Sequence, residues 1–283
     1  MNSLGIDIGG SSIKLAARRD GQTVWTRRSR LYDRPGFNQL VEVLREAVGE
    51  DSAEVEAVGL CVPGMLDHAN RCVDLSVHLP CLVGEPLDAL LAATIIPNLP
   101  QAILLTDAEA AARDIYTARN LSGRLLLIVL GTGVGAAVRD DGGPLHVDGD
   151  SPGHFGQMDV SVAGEESIGP DGGQGSLEGY IGAKALRRRY GDDFFAGLSK
   201  LSLTDPPLLA LARAIRIGHA IYRPHHVCLA GGVGNVLAPL LVKLQEAINI
   251  HLTCIARPNW TLTSGDTDFH AAIGAAKAVE MQI

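Results

Sequence analysis

No G-x-x-x-x-G-K-[ST] run occurs in the 283 residues, which excludes a Walker A phosphate loop. The five cysteines, Cys61, Cys72, Cys81, Cys228 and Cys254, are odd in number, scattered and without a C-x-x-C pair, so neither a disulfide framework nor a zinc site is signalled. Positive charge is scarce: 24 Lys and Arg stand against 32 Asp and Glu, and the longest unbroken basic run is Arg187-Arg188-Arg189. That disfavours a general nucleic-acid or membrane-surface binder, and the arginine run reads as a solvated helix face. Long apolar runs are missing too, since Leu125–Leu130 and its glycine-interrupted continuation are too short to span a bilayer. The opening residues enter a strand without a cationic start or a small-residue cleavage site, so a cytoplasmic chain with reduced thiols is expected.

Glycine-rich turns after apolar strands are what the chain does contain. Leu4, Ile6 and Ile8 alternate with small or acidic residues, Gly9-Gly10-Ser11-Ser12 interrupts, and Ile13-Lys14-Leu15-Ala16 resumes, giving strand, tight turn, strand. Two glycines let a ligand approach without meeting a Cβ, and the serines add hydroxyl donors, which suits a phosphate. Asp7 is placed to hold a hydrated Mg²⁺, and Lys14 to lend charge or point to solvent. A plain Gly-Gly hairpin reads the same way locally. The pattern returns at Leu125–Leu130, Gly131-Thr132-Gly133-Val134-Gly135 and Ala136–Val138, suggesting an internal duplication. Gly131-x-Gly133-x-x-Ala136 formally matches a dinucleotide fingerprint, but the following Asp140-Asp141-Gly142-Gly143-Pro144 leaves no room for the helix such a site needs, so a Rossmann oxidoreductase is disfavoured.

The remaining segments alternate strand and helix. An extended stretch over Thr23–Arg30 precedes a helix whose apolar face is Leu40, Val41, Leu44, Ala47 and Val48, with Asn38 as expected N-cap. Val55–Val62 reads as a buried strand ending at Pro63-Gly64, a corner where backbone meets ligand. Met65–Pro86 reads as irregular; its His68, His78, Cys72 and Cys81 fit no regular ligand spacing. A short helix over Leu87–Ala93 and a strand over Ala102–Leu105 lead into Thr106-Asp107 and an alanine-rich helix, where Asp107 is either a helix cap or a reacting base. Residues 148–175 read as loops around a cleft, ending where Ser176-Leu177-Glu178 opens a helix expected to continue through Leu186. Glu178 there is either dipole complement or ligand contact. Helices over Leu208–Tyr222 and Ala271–Glu280 and a buried strand His226–Ala230 running into Gly231-Gly232-Val233-Gly234 complete the chain. At 46% hydrophobic, its length allows two domains of ordinary size.

Together these motifs resemble the actin-like ATPase and sugar kinase superfamily, and within it the ROK (repressor, open reading frame, kinase) family. The resemblance rests on Asp7-Ile-Gly-Gly-Ser-Ser-Ile-Lys14, Val62-Pro63-Gly64, Asp107-Ala-Glu-Ala-Ala111, Gly131-Thr-Gly-Val-Gly135 and Ala230-Gly-Gly-Val-Gly234, in the family's order. It implies a two-lobed α/β fold of duplicated ribonuclease H-like sheets. The expected lobes are residues 1–116, joined by a returning helix over 266–283, and residues 117–265, with substrate between lobes that close on binding.

The resemblance further implies ATP- and Mg²⁺-dependent phosphoryl transfer to a sugar or sugar-like polyol, with Asp107 as base. Gly9, Gly10, Ser11, Ser12, Lys14, Gly131, Thr132, Gly133, Gly135, Gly231 and Gly232 would serve the nucleotide, Asp7 the metal through water, and Gly64, Thr106, His154, Gln157 and Glu178 the sugar. Homodimers are frequent in such proteins. The chain also departs from its relatives. Thr106 stands where Asn is common, and Gly153-His154-Phe155-Gly156-Gln157 where G-E-x-G-H is common. Gly169-x-Asp171-Gly172-x-x-Gly175-Ser176-x-Glu178 stands where many members carry the zinc motif C-x-C-G-x-x-G-C-x-E, so zinc is not expected. The altered sugar-side residues raise a non-catalytic sugar or nucleotide sensor as one alternative, and a polyphosphate-dependent kinase on the same fold is another.

Overall fold

The computed structural model describes residues 2–49, 55–94 and 102–281. Strands β1 (Asn2–Ile8), β2 (Ile13–Arg19) and β3 (Gln22–Arg28) precede helix α1 (Phe37–Val48), followed by β4 (Ala57–Val62), β5 (Met65–Asp67), β6 (Cys72–Leu75), α2 (Leu87–Ala92), β7 (Ile103–Thr106) and α3 (Asp107–Ala118). Next come β8 (Leu125–Leu130), β9 (Val134–Asp140), β10 (Gly143–Leu145), α4 (Leu177–Ile181), α5 (Ala183–Tyr190), α6 (Phe194–Leu198) and α7 (Pro206–Tyr222). The chain closes with β11 (His226–Ala230), α8 (Gly231–Val236), α9 (Leu241–Asn249), β12 (Thr261–Ser264) and α10 (His270–Glu280). Met1–Arg119, Val147–Ser151 and Phe269–Ile283 make one compact unit, and Asn120–His146 with Pro152–Asp268 make a second. No helix of the described residues is long and apolar enough to cross a membrane.

Both units carry the same sheet. In the first the strand order is β3-β2-β1-β4-β7, and in the second β10-β9-β8-β11-β12. Each begins as an antiparallel meander, to whose first strand two further strands add in parallel. The duplication suggested by the two glycine turns is therefore a duplication of whole five-stranded sheets. After Gly131-Thr132-Gly133 the chain enters β9 rather than a helix, as the breaker residues require.

In the first unit, β1, β2 and β4 bury Ile6, Ile8, Ile13, Leu15 and Leu60 against Leu40 and Leu44 of α1. Helix α10 covers the sheet so closely that glycine is required beneath it. A Cβ on Gly5 of β1 would lie 1.8 Å from the Ala272 carbonyl oxygen, and one on Gly59 of β4 would lie 2.0 Å from that of Ala275. Asp114 of α3 then locks α10 by accepting from His270 Nδ1 at 2.7 Å and pairing with Lys277 Nζ at 2.6 Å. These partners hold the Asp114 carboxyl below the usual carboxylate range against the opposing effect of burial. In the second unit, Leu126 and Ile128 of β8 and Leu229 of β11 pack with Leu211 and Ile215 of α7.

Three local expectations are corrected. The N-cap of α1 is Gly36, with no side-chain cap bond, and Asn38 lies inside the first turn. The helix expected from Leu177 through Leu186 breaks at Gly182, extended at φ −63° and ψ 149°. Residues 65–86 are not irregular throughout, because β5 and β6 pair as a hairpin.

Candidate functional site

Parallel strands deliver their carboxyl ends to one sheet edge, where open α/β sheets place ligands. In the first unit Asp7 of β1 is level with Cys61 of β4, and Val62 is level with Thr106 of β7. The edge thus gathers Asp7, the turn Gly9–Ser12, Lys14, the Pro63-Gly64 corner, Thr106 and Asp107. Lys14 Nζ lies 3.3 Å from Asp7 Oδ2. Buried Cys61 donates to the Ile6 carbonyl at 3.4 Å and lies 3.9 Å from Asp7 Oδ1; burial and the nearby Asp7 and Asp107 charges push its thiol well up. It is a packed neighbour of the site rather than a nucleophile.

Thr106, not Asp107, is the N-cap of α3: its Oγ1 accepts from Glu109 N at 3.2 Å. Asp107 begins the helix with Oδ1 accepting from Ala108 N at 2.8 Å. Capping is thus done by its neighbour, and the Asp107 carboxylate keeps a second oxygen. Its pKa is raised to about 6, first by burial and then by the Asp7 charge, against the lowering effects of Ala108 N–H, Lys14 and His78.

The sequence pattern offered His78 only as a poor metal ligand. Gly64 explains its arrival: at φ 120°, its Cβ would lie 2.3 Å from the Leu75 carbonyl oxygen, so the corner packs on the end of β6. Ser76 Oγ then accepts from Leu79 N at 3.1 Å and folds residues 76–79 alongside.

In the second unit, the expected residues converge on the β8–β9 turn. Gly131 N donates to Gly133 O at 2.9 Å, and Gly131 O accepts from Ala183 N at 2.9 Å. Glu178 is buried, with Oε2 accepting from Val134 N at 2.8 Å, so the residue assigned to the sugar also braces the exit of the glycine turn. A Cβ on Gly156 would lie 2.3 Å from the Val134 carbonyl oxygen, which seats His154-Phe155-Gly156-Gln157 against the same residue. His154 and Gln157 are exposed at the ends of this segment. Gly135 lies in β9 opposite Val129, and Gly231 opens α8 at φ 81°, where a Cβ would lie 2.5 Å from the Leu130 carbonyl oxygen. Gly232 follows in α8 beside the ring of Phe195, 3.7 Å from where its Cβ would be.

A model of the ROK family matches residues 3–282. The chain belongs to the ROK family.

Among similar proteins, the N-acetyl-D-glucosamine kinase of Erwinia tasmaniensis is 28% identical over 289 residues, covering 90% of this chain and 91% of that protein. A ROK family glucokinase from Streptomyces griseus, solved with glucose and AMPPNP, has a TM-score of 0.78 at 20% identity, covering 98% of this chain and 99% of that one. A ROK family transcriptional regulator, a homolog of the E. coli MLC protein, has a TM-score of 0.70 at 16% identity, covering 98% of this chain and 78% of that one. The solved structures share the α/β fold of this chain.

Two groups implied by ROK relatives fit these residues, and one does not. In the Gly9–Ser12 turn, no hydrogen bond within the described residues takes up the N–H groups of Gly10, Ser11 or Ser12, so three donors are available to an anion. Asp7 offers hard carboxylate oxygens at the same edge, the donor chemistry of a magnesium held largely through water and phosphate. Zinc does not fit. The motif positions hold Gly169, Asp171 and Ser176, with neither thiolate nor imidazole. The Gln157 amide faces Asp171 there, and with its nitrogen turned inward it donates to Asp171 Oδ2 at 2.7 Å and Oδ1 at 3.2 Å. Asp171 Oδ1 also accepts from Gly173 N at 3.1 Å.

Proposed function

We propose that this ROK protein is an ATP- and Mg²⁺-dependent kinase that phosphorylates a hydroxyl of a sugar, a hexose or amino-sugar. The observation that carries the reading is Asp107: a carboxylate at the end of a parallel strand, its pKa raised to about 6, beside the Asp7–Lys14 pair and a glycine turn with free amide donors. A base poised near neutrality is what proton removal from an alcohol during transfer requires. The kinase names of the relatives agree with this reading.

In the proposed reaction, Asp107 takes the proton of the sugar hydroxyl as that oxygen bonds to the γ-phosphorus and the phosphorus–oxygen bond to the leaving ADP breaks. The proton leaves Asp107 for solvent after the product departs. The N–H groups of Gly10, Ser11 and Ser12 hold phosphate oxygens in the first unit, and the Gly131–Gly135 turn is the corresponding candidate in the second. Gly231 and Gly232 leave room for the nucleoside. Asp7 would hold Mg²⁺ through water, and the ion would supply charge neutralisation to the phosphates. Thr106, His154, Gln157 and Glu178 orient the sugar, the first through a hydroxyl whose oxygen also caps α3. The base contributes about 10²- to 10⁴-fold, and positioning and charge neutralisation the rest.

A coupled assay over hexoses and N-acetylhexosamines, with ATP or polyphosphate as donor, tests the proposal. Turnover with ATP and one sugar class supports it, and turnover with polyphosphate alone replaces the donor. The second reading, a sensor, is favoured by the exposed His154 and Gln157 in place of the family's Glu and His. Calorimetric sugar binding with no product from any donor would support that reading.

A further inference from the structure

Residues 29–32 follow β3 and lie along the back of the first phosphate turn. Ser29 N donates to Ile13 O at 2.9 Å, and Ser29 Oγ accepts from Ile13 N at 2.9 Å, so the segment is pinned where β2 begins. Tyr32 then reaches the turn twice. Its N–H donates to Ser11 O at 3.0 Å, and its hydroxyl donates to Gly9 O in a short hydrogen bond. The ring is 7% exposed and belongs to the core of the first unit, so the hydroxyl is held by packing as well as by its acceptor. Burial first, and the Asp7 charge next, push the phenol well above its ordinary pKa, so it stays a donor at working pH.

A trans peptide is planar, with its C=O and N–H pointing in opposite directions. Pinning Gly9 O toward Tyr32 therefore turns Gly10 N–H away from it, and pinning Ser11 O turns Ser12 N–H away. A Gly-Gly sequence has no intrinsic preference for that arrangement, because glycine samples both signs of φ readily. The Gly9 N to Ser12 O hydrogen bond, at 3.0 Å, closes the turn but leaves both of those peptide planes free to rotate.

We propose that Tyr32 is a positioning residue for the nucleotide's phosphates: it clamps two carbonyls of the Gly9–Ser12 turn so that the amides of Gly10 and Ser12 stand ready as an anion cradle. The proposal rests on reading this turn as a phosphate site and assigns its preorganisation to a side chain outside every motif.

The test is calorimetry of AMPPNP with Mg²⁺, and of tripolyphosphate, on the full-length wild type and on Tyr32→Phe, which removes the hydroxyl clamp and keeps the ring. Loss of one hydrogen bond's worth of preorganisation should weaken both ligands about 3- to 10-fold. Sugar affinity should not change, a split that general damage to the fold would not give. If Tyr32→Phe binds both phosphate ligands like wild type, the clamp is overturned while the phosphate site stands. If the wild type binds neither, the clamp and the phosphate reading fall together. Should the variant not fold, amide hydrogen exchange on the wild type decides: AMPPNP protects Gly10 and Ser12 if the cradle is used, and unchanged exchange there overturns the proposal.

Discussion

Lys14 holds its ammonium 3.3 Å from the Asp7 carboxylate across the first hairpin. Both residues also act on Asp107, Asp7 raising its pKa and Lys14 lowering it. Lys14→Met removes a lowering influence, so the acid limb of kcat/KM, expected near pH 6 in the wild type, should move to higher pH. A pH–rate profile of the variant checks the direction, and a shift to lower pH would contradict the electrostatic account.

The close seat of α10 makes a packing prediction. Gly59→Ala puts a methyl 2.0 Å from the Ala275 carbonyl oxygen, so helix and strand must separate. Urea unfolding should show a loss of about 3 kcal/mol. Gly197→Ala is the control: that glycine lies in α6 with nothing within 4 Å of its Cβ position. It should stay within about 1 kcal/mol of wild type, on the stabilising side.

Apolar strands and glycine turns made β1, β2, β8, β9 and β11 legible in the sequence, and with them the positions of Asp7 and Asp107 at strand ends. What stayed hidden depends on tertiary contacts that carry no local period. Tyr32 and His78 lie in segments without regular alternation, and each reaches the site edge through neighbours distant in sequence. The break at Gly182 was masked by helix formers on both sides. There a Cβ would lie 2.8 Å from the Glu178 carbonyl oxygen, and Ala183 N turns to Gly131 O instead of continuing the helix from α4. The choice between cap and base at Asp107 could not be made from residue types alone, since Thr and Asp both cap helices.

His219 gives a pH-dependent stability prediction. It is 1% exposed in α7, edge-on to Trp260 at 4.5 Å, with neither ring nitrogen partnered among the described residues. Burial lowers its pKa from 6.5 to about 4, so below pH 6.5 the unfolded chain binds a proton that the folded chain refuses. Stability should fall from pH 6.5 towards 4, with at most about 2 kcal/mol lost at pH 5 from this group. Between pH 7.5 and 5.0 the urea midpoint of the wild type should fall relative to that of His219→Phe; an unchanged difference would contradict the assignment.

A chelator should have no effect on the second unit's loop. With Gly169, Asp171 and Ser176 offering neither thiolate nor imidazole, prolonged EDTA treatment should leave the thermal midpoint unchanged, and zinc analysis of the purified protein should find none bound. Asp171→Ala should instead raise the sugar KM, because Gln157 loses its anchor. A midpoint that falls with EDTA and recovers with zinc would contradict this.

The central claim is that Asp107 is the base, and steady-state kinetics of Asp107→Asn tests it most directly. Asparagine keeps the size and a side-chain oxygen for Ala108 N–H but cannot take a proton at neutral pH. The account predicts that kcat falls about 10²- to 10⁴-fold, while calorimetric affinities for AMPPNP and sugar stay close to wild type. Turnover by Asp107→Asn at a rate near that of the wild type would contradict it.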